Sequence, residues 1–174
     1  VTVTLSAAEG RTVVEAGNAY AKYPLHFTAK DSTERASLAI AVETGVCCVG
    51  TVSLMPGDAV AGMRADTLAV LKELDSPVYR WPGGNFVSGY NWRDGIGPRD
   101  ERPPRLEMAW GTVESNRFGT HEFLDYCQAL DTDPYICANL GTGTWTEAQQ
   151  WVEYCNSAED TATTRMRRRN GRRE

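Results

Sequence analysis

The run Arg80-Trp81-Pro82-Gly83-Gly84-Asn85-Phe86-Val87-Ser88-Gly89-Tyr90-Asn91-Trp92-Arg93-Asp94-Gly95 holds the densest set of residues able to do chemistry. Arg80 offers a forked pair of N–H donors, and Asn85 both donates and accepts. Trp81, Tyr90 and Trp92 supply flat apolar faces. Flat faces beside neutral donors and acceptors suit a sugar ring. The same residues admit a plainer reading, in which Gly83-Gly84 make a turn and the aromatics pack the loop.

A second candidate is Asn139-Leu140-Gly141-Thr142-Gly143-Thr144, placed between an expected strand and an expected helix as a dinucleotide fingerprint would be. Trp145 and Thr146 follow where the third glycine belongs, so a tight strand-to-helix turn is the better reading. Cys47, Cys48, Cys127, Cys137 and Cys155 lack C-x-x-C spacing, and His26 and His121 fit no zinc pattern. No metal site and no cofactor is expected. The cysteines read as buried free thiols.

The elements that must position these residues change character along the chain. Val1–Leu5, Arg11–Val14, Tyr23–Thr28, Ala36–Val42 and Val46–Leu54 are short β-type runs, and Leu25, Phe27, Leu38, Ile40 and Val42 alternate as one inward face of a sandwich would. After Pro56 the period lengthens. Leu68, Leu71 and Leu74 share a helical face over Ala65–Leu74, and Asp75-Ser76-Pro77 stops it. Val78–Trp81 reads as a strand, Thr120–Leu130 as a helix capped by Thr120, and Pro134–Asn139 as a strand. Thr146–Tyr154 reads as a helix with Thr146 and Gln149 in a capping box and Ala148, Val152 and Cys155 in its buried stripe. Helix and strand alternate, which implies parallel strands with helical crossovers. Two strands are too few for a sheet and a βα barrel needs eight such units, so this half reads as a slice of a larger domain. The expected division is residues 1–56, part of a β-sandwich, and residues 57–174, the first part of a larger βα domain; the fold class is α/β. Open strand edges predict that the isolated chain aggregates or exposes apolar surface.

Composition bounds the partners. Eighteen basic residues face 23 acidic ones, and six of the basic ones, Arg165, Arg167, Arg168, Arg169, Arg172 and Arg173, lie in the last ten positions. Residues 1–164 therefore carry a net charge of −10, which disfavours nucleic acid or an anionic membrane as partner. The arginine cluster lacks interleaved aromatics and reads as a solvated helix or tail. No apolar run approaches the roughly 18 to 20 residues of a membrane helix, and Val1–Ala8 have neither the basic nor the apolar part of a signal peptide. The chain starts with Val rather than Met and reads as a fragment. Compartment stays open, with the free cysteines leaning toward the cytoplasm.

The segment Val78–Tyr90 together with Trp92-Arg93-Asp94-Gly95-Ile96-Gly97-Pro98 resembles the α-L-arabinofuranosidases of glycoside hydrolase family 51. So do Val52–Pro56 leading into Met63–Asp66, Val113-Glu114 with Phe118-Gly119-Thr120, and Pro134-Tyr135-Ile136 through Asn139-Leu140-Gly141. The resemblance covers roughly residues 46–156. It implies a retaining glycosidase on a (β/α)8 barrel with an associated β-sandwich, which releases terminal arabinofuranosyl groups from arabinan and arabinoxylan fragments. It places Arg80 and Asn85 on the arabinose hydroxyls; Trp81 and Trp92, for their flat faces, are further substrate-binding candidates. It implies an arabinofuranosyl oligosaccharide or polysaccharide as partner, and a possible homo-oligomer for the full-length protein.

The resemblance also marks a gap. Retaining hydrolysis needs an acid/base and a nucleophile about 5 to 5.5 Å apart. Both are Glu in the family, near its fourth and seventh strands, and the chain is expected to stop before either; Arg165–Glu174 reads as the connection ahead of the fourth strand. The family's first-strand sugar-binding Glu would precede Val1. Glu107, Glu114 and Glu122 match no catalytic position, and Glu114 reads as a loop or rim residue. No catalytic residue is assigned, and the chain alone is expected to be inactive. Two other classes stay open: a non-catalytic carbohydrate-binding module, and a nucleotide-binding βα protein using Asn139–Thr144.

Overall fold

Alternation shapes the first strand. In β1 (Thr2–Leu5), Val3 and Leu5 fall on one face and are buried, while Thr2 and Thr4 point the other way. The computed structural model describes residues 1–8 and 11–173, in two units, Val1–Ser53 and Leu54–Glu174; Glu174, the end of the expected connection, lies outside the described residues. In the first unit β1 is the middle strand of an antiparallel sheet, between β2 (Thr12–Val13) and β3 (Leu38–Ala41). The β1–β3 register runs from Thr2 opposite Ala41 to Leu5 opposite Leu38.

Two expected strands do not form. Tyr23–Thr28 and Val46–Leu54 are irregular, and next to the first of these Ala29 makes only an isolated bridge to Ala8. Val46, Val49, Val52 and Leu54 are all exposed, so their apolar character meets no buried face that would fix a pleat.

The second unit starts with α1 (Ala65–Glu73), which buries Leu68 and half-buries Leu71. Leu74, expected on the same stripe, is the C-cap and is exposed, and Asp75 leaves the helix in the left-handed region with φ 47°. Next come β4 (Val78–Trp81) and, after the long loop, α2 (Thr120–Leu130) and β7 (Asp133–Ile136). β4 and β7 pair in parallel, Val78 opposite Asp133 and Trp81 opposite Ile136, with α2 as the crossover. Each keeps one edge without a strand partner among the described residues. The long loop carries a hairpin, β5 (Arg105–Glu107) against β6 (Thr112–Glu114).

Three expected boundaries shift. Gly119, not Thr120, is the N-cap of α2, because the Glu122 carboxylate accepts the Gly119 N–H at 2.9 Å. The strand expected to reach Asn139 ends at Ile136, since the Asn139 side chain turns the chain. The capping box of α3 (Trp145–Asn156) is Thr144 with Glu147 rather than Thr146 with Gln149: Glu147 N donates to the Thr144 hydroxyl at 3.2 Å and its carboxylate accepts Thr144 N at 2.7 Å. The buried face of α3 is accordingly Trp151 and Tyr154, flanked by half-buried Ala148 and Cys155, while Val152 is exposed.

The arginine-rich end is mostly helix, α4 (Ala162–Arg169), and it is not all solvated. Arg167 is buried and donates to the carbonyls of Tyr154 at 2.7 Å and Ser157 at 2.8 Å, which ties α4 to the end of α3. Arg165 and Arg168 pair with Asp160, and Arg172 with Asp125 on α2. Tyr154 also hydrogen-bonds His121 Nε2 at 2.8 Å and accepts from Asn170 at 3.0 Å. All five cysteines are free, but only Cys127 is buried and Cys48 is exposed, because Cys47-Cys48 lie in the irregular part of the first unit. Among the described residues no helix is long and apolar enough to cross a membrane.

Candidate functional site

The loop from Pro82 to Gly119 leaves the C-terminal end of β4, the end at which parallel αβ sheets carry ligands. Gly84 takes φ 61°, a left-handed conformation that glycine adopts without steric cost, and opens a 3₁₀ turn over Gly84–Gly89. Further 3₁₀ turns cover Trp92–Gly95 and Arg99–Glu101 before the hairpin.

Arg80 and Asn85 are the two site candidates that stay available. Both are exposed, and neither side chain has a hydrogen bond or ion pair among the described residues. The Arg80 guanidinium lies against the backbone of Gly83, where a Cβ would sit 3.0 Å from its central carbon. Gly83 itself is extended at φ −160°, a conformation open to any residue.

The two tryptophans are committed to packing. Trp92 is 3% exposed: one face stacks on Trp151 at 6.0 Å with the planes 5° apart, Arg93 lies 4.7 Å from the ring centre, and its N–H donates to Glu147 O at 3.2 Å. Trp92 is thus packed rather than displayed as an open platform, and it also borders the cavity described below. Trp81 is half-buried and ringed by Tyr90, Phe118, Phe123 and Trp151 at centroid distances of 5.3 to 6.1 Å. Tyr90 is buried beside them, and burial pushes its hydroxyl far above the usual tyrosine range. The aromatic composition that read as sugar-binding thus builds the floor of the loop.

The three carboxylates are also occupied. Glu107 accepts the N–H groups of Ala109 at 2.8 Å and Trp110 at 2.6 Å, which closes the hairpin turn. Glu114 accepts Asn116 N at 2.6 Å, a loop role as read from the sequence. Glu122 is buried under a forked pair from Arg102, Nη1 to Oε2 at 2.9 Å and Nη2 to Oε1 at 3.0 Å, with Arg99 Nε adding 2.9 Å to Oε1. Burial pushes the Glu122 carboxyl up, but the hydrogen bonds from Arg102 and Arg99 outweigh it and hold the group down at about 2. Glu122 is therefore ionised and cannot serve as a proton donor near neutral pH. Arg102 also donates to Gly97 O and Asn116 O, so this cluster ties the middle of the loop to its C-terminal end and to the start of α2. Nothing in the spacing of Arg99, Arg102 and Glu122 marked this cluster beyond their opposite charge.

Across from the Gly84–Gly89 turn lies the turn that follows β7. Asn139 Oδ1 accepts the N–H groups of Gly141, Thr142 and Gly143 at 3.0, 3.1 and 3.3 Å, a tight strand-to-helix turn as the sequence indicates. Between the two loops is a cavity of about 130 Å³, whose walls include Tyr90, Asn91, Asn139, Thr142 and Trp151. Among the described residues no three His, Cys, Asp or Glu side chains gather as metal ligands would.

The family described as Alpha-L-arabinofuranosidase 1 domain matches residues 70–174, more than half of the chain. The chain belongs to the α-L-arabinofuranosidases. Alpha-L-arabinofuranosidase C of Emericella nidulans is 52% identical to it over 133 residues, 75% of this chain and 26% of that protein. The intracellular exo-alpha-L-arabinofuranosidase of Bacteroides ovatus is 47% identical over 125 residues, 71% of this chain and 24% of that protein. Among solved structures, the α-L-arabinofuranosidase of Thermotoga maritima in its arabinose complex superposes with a TM-score of 0.65 at 48% identity, over 69% of this chain and 26% of that one. The glycoside hydrolase family 51 enzyme of Thermotoga petrophila gives 0.63 at 51% identity, over 65% and 24%. The arabinofuranosidase chain described here thus spans about a quarter of the length of the relatives it matches.

Proposed function

We propose that the chain is part of the catalytic domain of a retaining α-L-arabinofuranosidase that hydrolyses terminal non-reducing α-L-arabinofuranosyl residues from arabinan and arabinoxylan oligosaccharides. In this reading β4, α2 and β7 are one βαβ step of a (β/α)8 barrel, and the sheet of residues 1–53 is part of a β-sandwich. Arg80 and Asn85 hold the arabinose hydroxyls. Trp81 and Trp92 serve the site by fixing the loop. The acid/base and nucleophilic Glu residues come from outside these 174 residues.

The observation that carries the reading is the pair of exposed, unpaired polar side chains, Arg80 and Asn85, where the chain leaves a parallel strand in a member of this family. Every nearby carboxylate considered as a substitute catalyst is already bound to backbone N–H groups or to arginine. Hydrolysis of p-nitrophenyl α-L-arabinofuranoside tests it. The full-length protein should release nitrophenol and the 174-residue chain should not. Arg80→Ala or Asn85→Ala in the full-length protein should lower kcat/KM by about 10²-fold or more, since each leaves sugar hydroxyls without a partner. Release by the 174-residue chain alone would overturn the assignment of the catalytic groups. Arabino-oligosaccharide binding by a full-length protein without hydrolysis would favour a carbohydrate-binding module instead.

A further inference from the structure

The Asn139–Thr144 turn has no part in the reading above, yet it grips the sugar-binding loop. The Gly84–Gly89 turn that carries Asn85 buries none of its residues and is a short 3₁₀ segment, a geometry with weak internal hydrogen bonds. Phe86 anchors its middle against Tyr90, with ring centroids 5.2 Å apart, and its C-terminal end takes support from outside. Two carbonyls at its C-terminal end receive that support. Thr142 donates to Ser88 O both from its backbone N, at 3.2 Å, and from its hydroxyl. Asn139 Nδ2 donates to Tyr90 O at 3.2 Å.

The Asn139 amide is used at both ends. Its oxygen closes its own turn through three backbone N–H groups, and its nitrogen reaches across to the other loop. Gly141 completes the fit: a Cβ there would stand 2.9 Å from the Ser88 Cβ and 3.2 Å from the Ser88 Cα, closer than carbon atoms pack. We propose that Asn139, Gly141 and Thr142 are positioning residues, a latch on the β7–α3 loop that holds the Gly84–Gly89 turn so that Asn85 meets the substrate. This rests on the assignment of Asn85 to the sugar site. It gives the Gly-x-Gly stretch a function that binds no nucleotide.

The latch separates two properties of Asn139 that single substitutions can separate as well. Asn139→Asp keeps the oxygen that accepts the three N–H groups, and at neutral pH it replaces the donor to Tyr90 O and to the Thr142 hydroxyl by a second acceptor. Thr142→Val removes the hydroxyl alone, and Thr142→Ser restores it. In the full-length enzyme, Asn139→Asp and Thr142→Val should each raise KM for p-nitrophenyl α-L-arabinofuranoside about fivefold, the scale of one lost hydrogen bond, with kcat changed less and the melting temperature little affected. Thr142→Ser should return KM toward the parent value. In the Asn85→Ala background the Asn139→Asp effect on KM should vanish, because the group it positions is gone.

An unchanged KM in Asn139→Asp and Thr142→Val beside a raised KM in Asn85→Ala would overturn the latch and leave the sugar site standing. An unchanged KM in Asn85→Ala would instead remove the site on which the latch rests. Full additivity of Asn85→Ala with Asn139→Asp would also overturn the latch, since it would mean that the two residues act apart.

Discussion

Residues 1–53 and residues 54–174 bury their apolar side chains very differently. Among the described residues of the first unit only Val3 and Leu5 belong to the buried apolar set, while the second buries Leu68, Tyr90, Trp92, Phe123, Cys127, Leu130, Trp151 and Tyr154. Both stretches are rich in apolar sequence. The contrast lies in what each apolar residue has to face. A strand of alternating residues needs a second layer, and within the first unit Tyr20 is 80% exposed and Val46 95%. A helix beside a parallel strand brings its own layer, and four aromatic rings from the loop and α3 close over it.

Three substitutions would break or sharpen that contrast, measured as urea-unfolding free energies of the protein. Trp151→Ala should be the most damaging, at about 3–5 kcal/mol, because it empties the centre of the ring cluster that touches Trp81, Tyr90 and Trp92. A cost under about 1 kcal/mol would mean that the cluster is not the core of its unit. Glu122→Gln should follow at about 3 kcal/mol, since it leaves the buried Arg102 guanidinium without its counter-charge.

The Glu122 contribution has a pH signature with a definite sign. Its folded value of about 2 lies below the ordinary 4.5, so the folded form binds fewer protons. The stabilisation is fully present above about pH 4.5 and fades as the pH falls from there toward 2. The pH dependence of unfolding in that window should flatten in Glu122→Gln; an unaltered slope would place the acid sensitivity elsewhere. Val46→Ser should have the smallest effect, within about 0.5 kcal/mol, as the side chain is exposed. A loss comparable to that of Trp151→Ala would erase the distinction between the two units.

What the sequence disclosed and what it withheld follow the same division. The order of helix and strand after Pro56 was readable because Leu68, Leu71, Phe123, Cys127 and Leu130 repeat at helical spacing, and because Asp75 and Pro77 interrupt it. The long loop stood out by its length and its glycines, and Arg80 and Asn85 by their chemistry. The strands at Tyr23–Thr28 and Val46–Leu54 were misread because alternation is a local property and burial is not. Trp92 carries a related ambiguity: an indole suits a sugar and a core equally well, and its packing on Trp151, 59 residues later in the chain, is written in no local pattern. The Arg99–Arg102–Glu122 cluster joins groups about twenty residues apart, and no local pattern encodes such a pairing.

The parallel indoles of Trp92 and Trp151 give the loop an optical reporter of its own. Two indoles with ring centroids 6.0 Å apart and planes 5° from parallel perturb one another's absorption, and one sits on the loop while the other sits on α3. The part of the near-ultraviolet circular dichroism that a Trp92→Phe variant removes therefore follows the docking of this loop without any added label. Loss of that signal ahead of the far-ultraviolet helical signal on heating would date the loop's release before the melting of the helices beneath it.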